Sequence, residues 1–417
     1  MSTTTTTYTS TACASTTCAS ATCVSDTAII LTDTELAPYV THASTRRWLT
    51  GPGLPCGSGV LSFAELCREG RQGLRTVADS TGDPADRLAA ELRDQLVIGG
   101  LLGPGGLEME SVLLDGATGE ISTTYFLHDR PDLMDRRPLA PSLRTLVRFA
   151  EATDELAGLR GQFASYVGRY GPKAVAQASQ HLLAVFEDGT DGEPAPFWKM
   201  AALIRPLALV AGRAGESGLA LDLPPRLLDQ EFGKGKVVRF EEVDFPVTLT
   251  HDPTRRFLRE VGLPEDGFLF SLETDAPLQT LAEYYADVER VAELPARADC
   301  LIRLGHLVED DSLVVDGETG AVLNWSEPEA RLFPLNTDVS TLAFTLWLLH
   351  REQAIDEQSG HELTTDTYDQ LAMTMLQVLS TVDPTGTRAA DGDGRHYWTE
   401  VFQDEASGVL ESVGGVR

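Results

Sequence analysis

The stretches THASTRRWLTGPGLP at residues 41–55 and THDPTRRFLREVGLP at residues 250–264 share nine of fifteen positions without a gap, where chance gives roughly one. Trp48 faces Phe257 in the same alignment. Upstream at the same offset, AIILTDTELAP at 28–38 faces VVRFEEVDFPV at 237–247. Each reads as a short β-branched strand followed by an acidic turn. Downstream, SVLLDGATGEI at 111–121 parallels SLVVDGETGAV at 312–322, and PLAPSLRTLVRF at 138–149 parallels PLNTDVSTLAFT at 334–345. Finally PFWKMAALI at 196–204 resembles HYWTEVFQD at 396–404, with Trp198 opposite Trp398. Blocks recurring in one order, separated by loops of changed length, mark a duplicated domain. The expected layout is a tail at 1–26, copy one at 27–205, a linker at 206–235 and copy two at 236–417.

Copy two has the cleaner patterns. Lys236–Phe240 reads as a strand, and Thr254–Val261 as a helix with Thr250 and Asp252 as candidate caps, Pro253 at an early helical position and Gly262 at the end. SLVVDGETGAVLNW reads strand, turn, strand, with Asp316, Gly317 and Gly320 supplying the turn. A largely buried helix is expected over Val339–Gln353 with Asp338 as N-cap, and a second over Thr365–Ser380 with Leu371, Met375, Leu376 and Leu379 at helical spacing. RLLDQEF at 226–232, inside the linker, is apolar enough for a short helix docked on copy two. Strands and helices segregate rather than alternate. The fold class is therefore α+β: two tandem domains, each a central, mainly antiparallel sheet flanked by helices.

The chain carries 63 acidic and 33 basic residues among 417, a formal net charge of −30. Such a surface repels nucleic acid and anionic membranes and attracts basic proteins. Simple solubility in an acidic proteome accounts for the same excess. The six cysteines include Cys13, Cys18 and Cys23 in the tail and form no CxxC pair. That is neither a disulfide framework nor a zinc site, and it fits a reducing cytoplasm. No apolar run reaches the roughly 18 residues that span a bilayer. The Thr/Ser-rich start lacks the basic and apolar regions of a signal peptide and reads as disordered.

Catalytic signatures are not met. Gly215-Glu216-Ser217-Gly218 is followed by Leu219 rather than completing a nucleophile elbow, and Thr365 stands where a zinc helix begun at His361 needs its second histidine. GKGK at 233–236 lacks the phosphate-loop spacing, with Gln230 in place of the first glycine and Val237 in place of the hydroxyl residue. His42 and His251 are repeat equivalents beside a capping threonine, which suits a structural role. Cys56 has Glu265 as its counterpart, a swap not expected of a catalytic thiol. No metal or other cofactor is implied, and binding is favoured over catalysis.

The segments VRFEEVDFPVTLTHDPTRRFLREVGLP, PLQTLAEYYAD, LIRLGHLVEDDSLVVDGETGAVLNWSEPEA and PLNTDVSTLAFTLWLLHRE, spanning most of 230–405, resemble the SUKH superfamily, and most closely its fourth immunity-protein group. Copy one keeps the GLP element and hairpin but has STTYFL where copy two has WSEPEA, so it is a divergent member. The resemblance implies a cytoplasmic neutraliser whose partner is a cognate toxin with a basic nuclease or deaminase domain. The toxin's cleft must be basic because its substrate is polyanionic, so an acidic protein can occupy it as a charge mimic. The candidate partner-binding residues are Arg255, Arg256, Gly262, Leu263, Pro264, Asp310, Asp311, Trp325, Glu327 and Glu329, with Trp325, read in a turn between Asn324 and Glu327, as the natural anchor. Each has a competing structural reading. The arginines can clamp the protein's own carboxylates, the GLP triplet can shape a turn, Trp325 can pack inward, and the acids can simply be solvated. A regulatory or scaffold protein is the alternative function. An enzyme is a third, to be recognised by a compact pocket of buried acids with shifted pKa values.

Overall fold

The computed structural model describes residues 28–67, 74–103, 106–190, 192–213, 217–267, 270–274, 276–286, 294–307, 311–358, 368–387 and 397–407. The expected tail at 1–26 and Asp310 lie outside them. Copy one runs α1 (Asp33–Leu36), α2 (Ala43–Leu49), β1 (Leu61–Ser62), α3 (Ala64–Cys67), β2 (Arg75–Thr76), α4 (Val77–Thr81), β3 (Gln95–Leu102), β4 (Glu108–Asp115), β5 (Ile121–Thr124), β6 (Arg137–Ala140), α5 (Leu143–Ala157), α6 (Pro172–Glu187) and α7 (Pro196–Ile204). A 3₁₀ turn (Arg205–Val210), β7 (Gly212–Arg213), β8 (Leu221–Asp222) and α8 (Leu227–Glu231) follow. Copy two runs β9 (Val237–Val238), α9 (Asp252–Glu260), β10 (Leu263–Pro264), β11 (Asp266–Gly267), β12 (Phe270–Leu272), α10 (Leu281–Ala286), β13 (Leu301–Leu307), β14 (Ser312–Asp316), β15 (Val322–Ser326), β16 (Arg331–Asn336), α11 (Val339–Gln358), α12 (Tyr368–Val382) and α13 (Tyr397–Ser407).

Each copy holds one antiparallel six-stranded sheet. The first has the order β1-β3-β4-β5-β6 with β2 also on β3, and the second has β11-β12-β13-β14-β15-β16. The α+β architecture and the duplication are therefore both present. One face of each sheet joins a continuous apolar core under the long helices, with Phe149, Phe186 and Trp198 in copy one and Phe344, Trp398 and Phe402 in copy two. The paired tryptophans do matching work at the end of this core: Trp198 Nε1 donates to the Leu139 carbonyl at 2.8 Å, and Trp398 Nε1 to Asn336 Oδ1 at 3.0 Å.

The two best-conserved sequence blocks are the two sides of one contact. Backbone N–H groups of Thr250 and His251 both donate to the Gly317 carbonyl at 2.8 Å, and those of Thr41 and His42 to Gly116 at 2.8 and 2.9 Å. His251 Nδ1 bonds Thr254 Oγ1 at 2.8 Å, and His42 bonds Thr45 at the same distance. The closing glycines of the hairpin turns, Gly119 and Gly320, have φ of 82° and 79°, and a Cβ on either would collide with the histidine ring. Only glycine tolerates both that backbone and that approach. The histidines are thus structural. The helix start differs from expectation. His251 occupies the N-cap without a side-chain cap bond, and Thr250 and Asp252 do not cap. Thr250 is instead drawn to the turn, its hydroxyl donating to Gly317 as well at 3.3 Å. Asp338, by contrast, does cap α11, accepting from Ser340 and Thr341 N–H at 2.9 and 3.2 Å.

The residues between the copies are folded against them. Leu207, Val210, Leu219, Leu221, Leu227 and Leu228 are buried. Ala220 N–H donates to Asp338 at 2.6 Å, and Leu221 N–H to Ser340 Oγ at 3.1 Å. The short helix α8 forms and docks on copy two, where Phe232 stacks on His350 at 4.6 Å. Helix α12 is buried on every side from Gln370 to Leu379 because it serves two copies at once. It packs on α11 and α13 of its own copy and on α7 and the 3₁₀ turn of copy one. Gln370 Nε2 donates to the buried Glu110 carboxylate at 3.0 Å, and Arg213 to the Thr381 carbonyl at 2.8 Å.

Candidate protein-binding face

The fold separates the candidate residues into two groups. Arg255 and Arg256 sit on α9, whose start is held at the β14–β15 turn, and Gly262–Pro264 follow the end of that helix and pair with β9. Asp311, Trp325, Glu327 and Glu329 lie at the other end of β14, beside Ser312. The length of β14 sets that end roughly 13 Å from the turn, four steps of about 3.3 Å.

All of the first group but Arg256 is held in structural contacts. Arg255 donates to the Leu249 carbonyl at 3.0 Å, pairs with Glu242 and stacks 5.4 Å over Phe245. Arg46 repeats this on the Val40 carbonyl at 2.9 Å and Asp33 at 2.6 Å. This is the self-clamping alternative. Arg256 is exposed and has no ion pair among the described residues. Leu263 and Pro264 are buried and pair with Val238 and Val237. Gly262 has φ of 79°, and a Cβ there would strike the Val238 carbonyl, so the triplet makes the turn that brings β10 onto β9.

In the second group, Trp325 lies on β15 opposite Ser312, not in a turn, and is fully buried among Leu281, Tyr285, Ala298, Leu301 and Val314. The inward-packing alternative is the one adopted. The strand runs on to Ser326 because that residue still pairs with Arg331. Asp311 is also buried and accepts from Asn324 Nδ2 at 2.9 Å. Glu327 is half-exposed and accepts from the Tyr285 hydroxyl at 3.2 Å, and Glu329 is exposed. Burial and then the neighbouring Glu327 carboxylate push the Tyr285 phenol up.

Sequence reading missed the centre of this face. Arg303, 3% exposed, points to the side of the sheet away from the long helices. Its nitrogens reach Glu273 at 3.1 Å, Ser312 at 3.3 Å and the His306 ring, and its guanidinium lies 3.9 Å over Tyr284. The Glu273 and His306 side chains remain 36% and 43% exposed, so the network opens to solvent. Copy one replaces each piece at the same register. Val97 faces Leu113 as Arg303 faces Val314, Gly100 faces Ser111 as His306 faces Ser312, and Thr124 takes the Trp325 position. There the same face is sealed by Val77, Leu88, Leu92, Leu113 and Met134. The one sequence signal was an arginine set inside the apolar strand LIRLGHL.

Among the described residues no cluster of His, Cys, Asp or Glu is arranged to hold a metal, and no helix is long and apolar enough to cross a membrane. Among the described residues Asp154 is raised, by burial against a Gly59 N–H and the fields of Arg205 and Arg160, and so is Asp369, by burial against Arg137. They stand on different elements and form no shared pocket with each other.

A tandem pair of helix-backed antiparallel sheets, the outer face of the first covered by apolar side chains alone and that of the second by an apolar cluster edged by the Arg303–Glu273–His306 network, defines a duplicated α+β protein. Residues 23–198 and 223–404 each match the family model described as SUKH-4 immunity protein, and the chain belongs to that family as a tandem duplication. Membership points to a toxin-neutralising immunity role. No curated protein and no solved structure matches the chain.

Proposed function

We propose that the protein acts in the cytoplasm against a toxin that processes nucleic acid, a nuclease or deaminase, by seating the acidic rim of the copy-two sheet in the toxin's basic cleft. The observation that carries this reading is the contrast between the copies. The same register positions hold Arg303, His306 and Trp325 in copy two and Val97, Gly100 and Thr124 in copy one. Copy one has closed its face with apolar packing and acts as scaffold. Copy two keeps Glu273, Glu327 and Glu329 around a guanidinium already neutralised by its own partners. The rim therefore presents net negative charge to a cationic partner, and the chain's charge of −30 steers the encounter.

The test is co-expression with toxin domains encoded beside the gene, followed by binding kinetics across a salt series. Growth should be rescued by one such domain, with association slowing steeply as salt rises. Rescue that survives Glu273→Lys, Glu327→Lys and Glu329→Lys combined overturns the face. Failure with every adjacent toxin overturns the function.

A further inference from the structure

The junction between the copies encloses a cavity of about 420 Å³, bounded by the end of α5, the 3₁₀ turn and β7 from the copy-one side and by α12 from copy two. Its walls are mostly apolar, with Leu156, Leu159, Leu209 and Val378, and Val167 is a further lining residue, 66% exposed. Among the described residues the charged side chains lining it are Arg205 and Arg213, in a chain with almost twice as many acidic as basic residues. Arg205 Nε is buried and has no acceptor, while another of its nitrogens is held by Gln377. Arg213 spends one N–H on the Thr381 carbonyl and is otherwise exposed. Burial pulls the Arg205 guanidinium down to about 10 because Asp154 offsets only part of its desolvation.

We infer that this cavity binds a small organic carboxylate with an apolar body, its charged end on Arg205 and Arg213 and its body against the leucines. A buried guanidinium N–H without an acceptor is costly, and a planar carboxylate matches its donor geometry. The apolar walls favour a ligand with an apolar body over phosphate, which is polar on every side and would be desolvated against the leucines without compensation there. Because the cavity needs α12 beside copy one, a bound carboxylate would tie the two copies together and raise stability by mass action. The inference stands apart from toxin binding and does not depend on it.

The probe is octanoate, added to the full chain and followed by calorimetric titration and thermal unfolding. Acetate, octanol and inorganic phosphate serve as controls. One saturable octanoate site is expected, with a concentration-dependent rise in Tm and weaker effects from each control. Arg205→Gln should weaken octanoate by at least about tenfold, the worth of a hydrogen bond to a charged group. Arg205 is packed, so the decisive variants are Arg213→Gln and Val167→Trp. Val167 is exposed and makes no hydrogen bond from its side chain, so its variant should unfold like wild type without ligand, while Arg213→Gln should lower the ligand-free Tm by no more than about 2 °C from the lost bond to the Thr381 carbonyl. Each should weaken octanoate, the first by removing a charge and the second by crowding the cavity. Octanoate binding untouched by both variants overturns the site. So does octanol or phosphate binding as well as octanoate, or no saturable binding at ~10 mM, far above a specific site's Kd.

Discussion

Replacing Trp325 separates the core reading from the anchor reading. Its side chain is fully buried against Leu281, Tyr285, Ala298, Leu301 and Val314. Truncating a buried tryptophan to alanine costs about 3–5 kcal/mol, from lost transfer energy and the cavity left behind. At roughly 2 °C per kcal/mol for a large domain, Trp325→Ala should lower Tm by about 6 °C or more. Trp325→Thr should do nearly as much. Threonine is what copy one has there, but Thr124 is accompanied by Leu88, Leu92 and Met134 closing the same side of that sheet, whereas in copy two the indole itself is part of the cluster with Leu281, Tyr285, Ala298 and Leu301. The assay is far-ultraviolet circular dichroism on heating, chosen because it does not depend on the removed indole. A Tm unchanged within about 1 °C, with toxin affinity lost, would mean that Trp325 is presented outward and that the face is built differently.

Three further outcomes follow from the same geometry. Glu327→Lys with Glu329→Lys should slow toxin association and cost about 1 kcal/mol in chemical denaturation, because Glu327 accepts from the Tyr285 hydroxyl, whereas Asp311→Lys should cost several kcal/mol by burying an unpaired cation. Arg255→Ala should cost roughly 1 kcal/mol in urea unfolding, because the Leu249 carbonyl loses its donor, and exposed Arg256→Ala should be neutral within about 0.5 kcal/mol. Asp154 is raised from an ordinary value of 3.8, so the folded state keeps a proton that the unfolded chain has released. Its contribution is therefore full below 3.8 and is lost as pH rises through the folded value. Asp154→Asn should flatten the decline in stability over that acid window, measured by urea titrations at stepped pH.

What was legible in the chain was whatever local chemistry specifies. DGETG can only be a turn between its two apolar strands, and Asp316 confirms it by accepting from Glu318 and Thr319 N–H at 2.9 and 3.0 Å. The long apolar run of α11 and its Asp338 cap are local in the same way. The duplication was visible because its best-preserved blocks touch each other, so each constrains the other. What could not be read were partnerships set by tertiary packing. Thr250 resembles a cap, but the Gly317 carbonyl, 67 residues away, takes its hydroxyl. Trp325 beside Ser-Glu-Pro resembles a turn residue, but pairing of Ser326 with Arg331 prolongs the strand. Arg303 is placed by Tyr284 and Glu273, neither of them near it in sequence, and no pattern within LIRLGHL announces that.

The burial of α12 on all sides has a consequence for any attempt to separate the copies. An amphipathic helix at a domain surface keeps one polar face, as α6 does in copy one, where exposed Lys173, Gln180 and Glu187 alternate with buried positions. Helix α12 has no such face between Gln370 and Leu379. A chain of residues 223–417 would therefore bare Met373 and Val378, strip Gln370 of its Glu110 partner and leave Gln377 without the Leu102 carbonyl. Exposing two apolar side chains and two formerly paired amides forfeits about 3–6 kcal/mol of burial alone, which is a large share of a typical domain's stability. Such a fragment should aggregate or self-associate through α12 on size-exclusion chromatography, while Met373→Glu with Val378→Lys in the fragment should return part of it to a monomer. A fragment that is monomeric, cooperative and as stable as the full chain without these changes would show that the copies are independent domains, and that copy one does not support the helix that copy two cannot cover by itself.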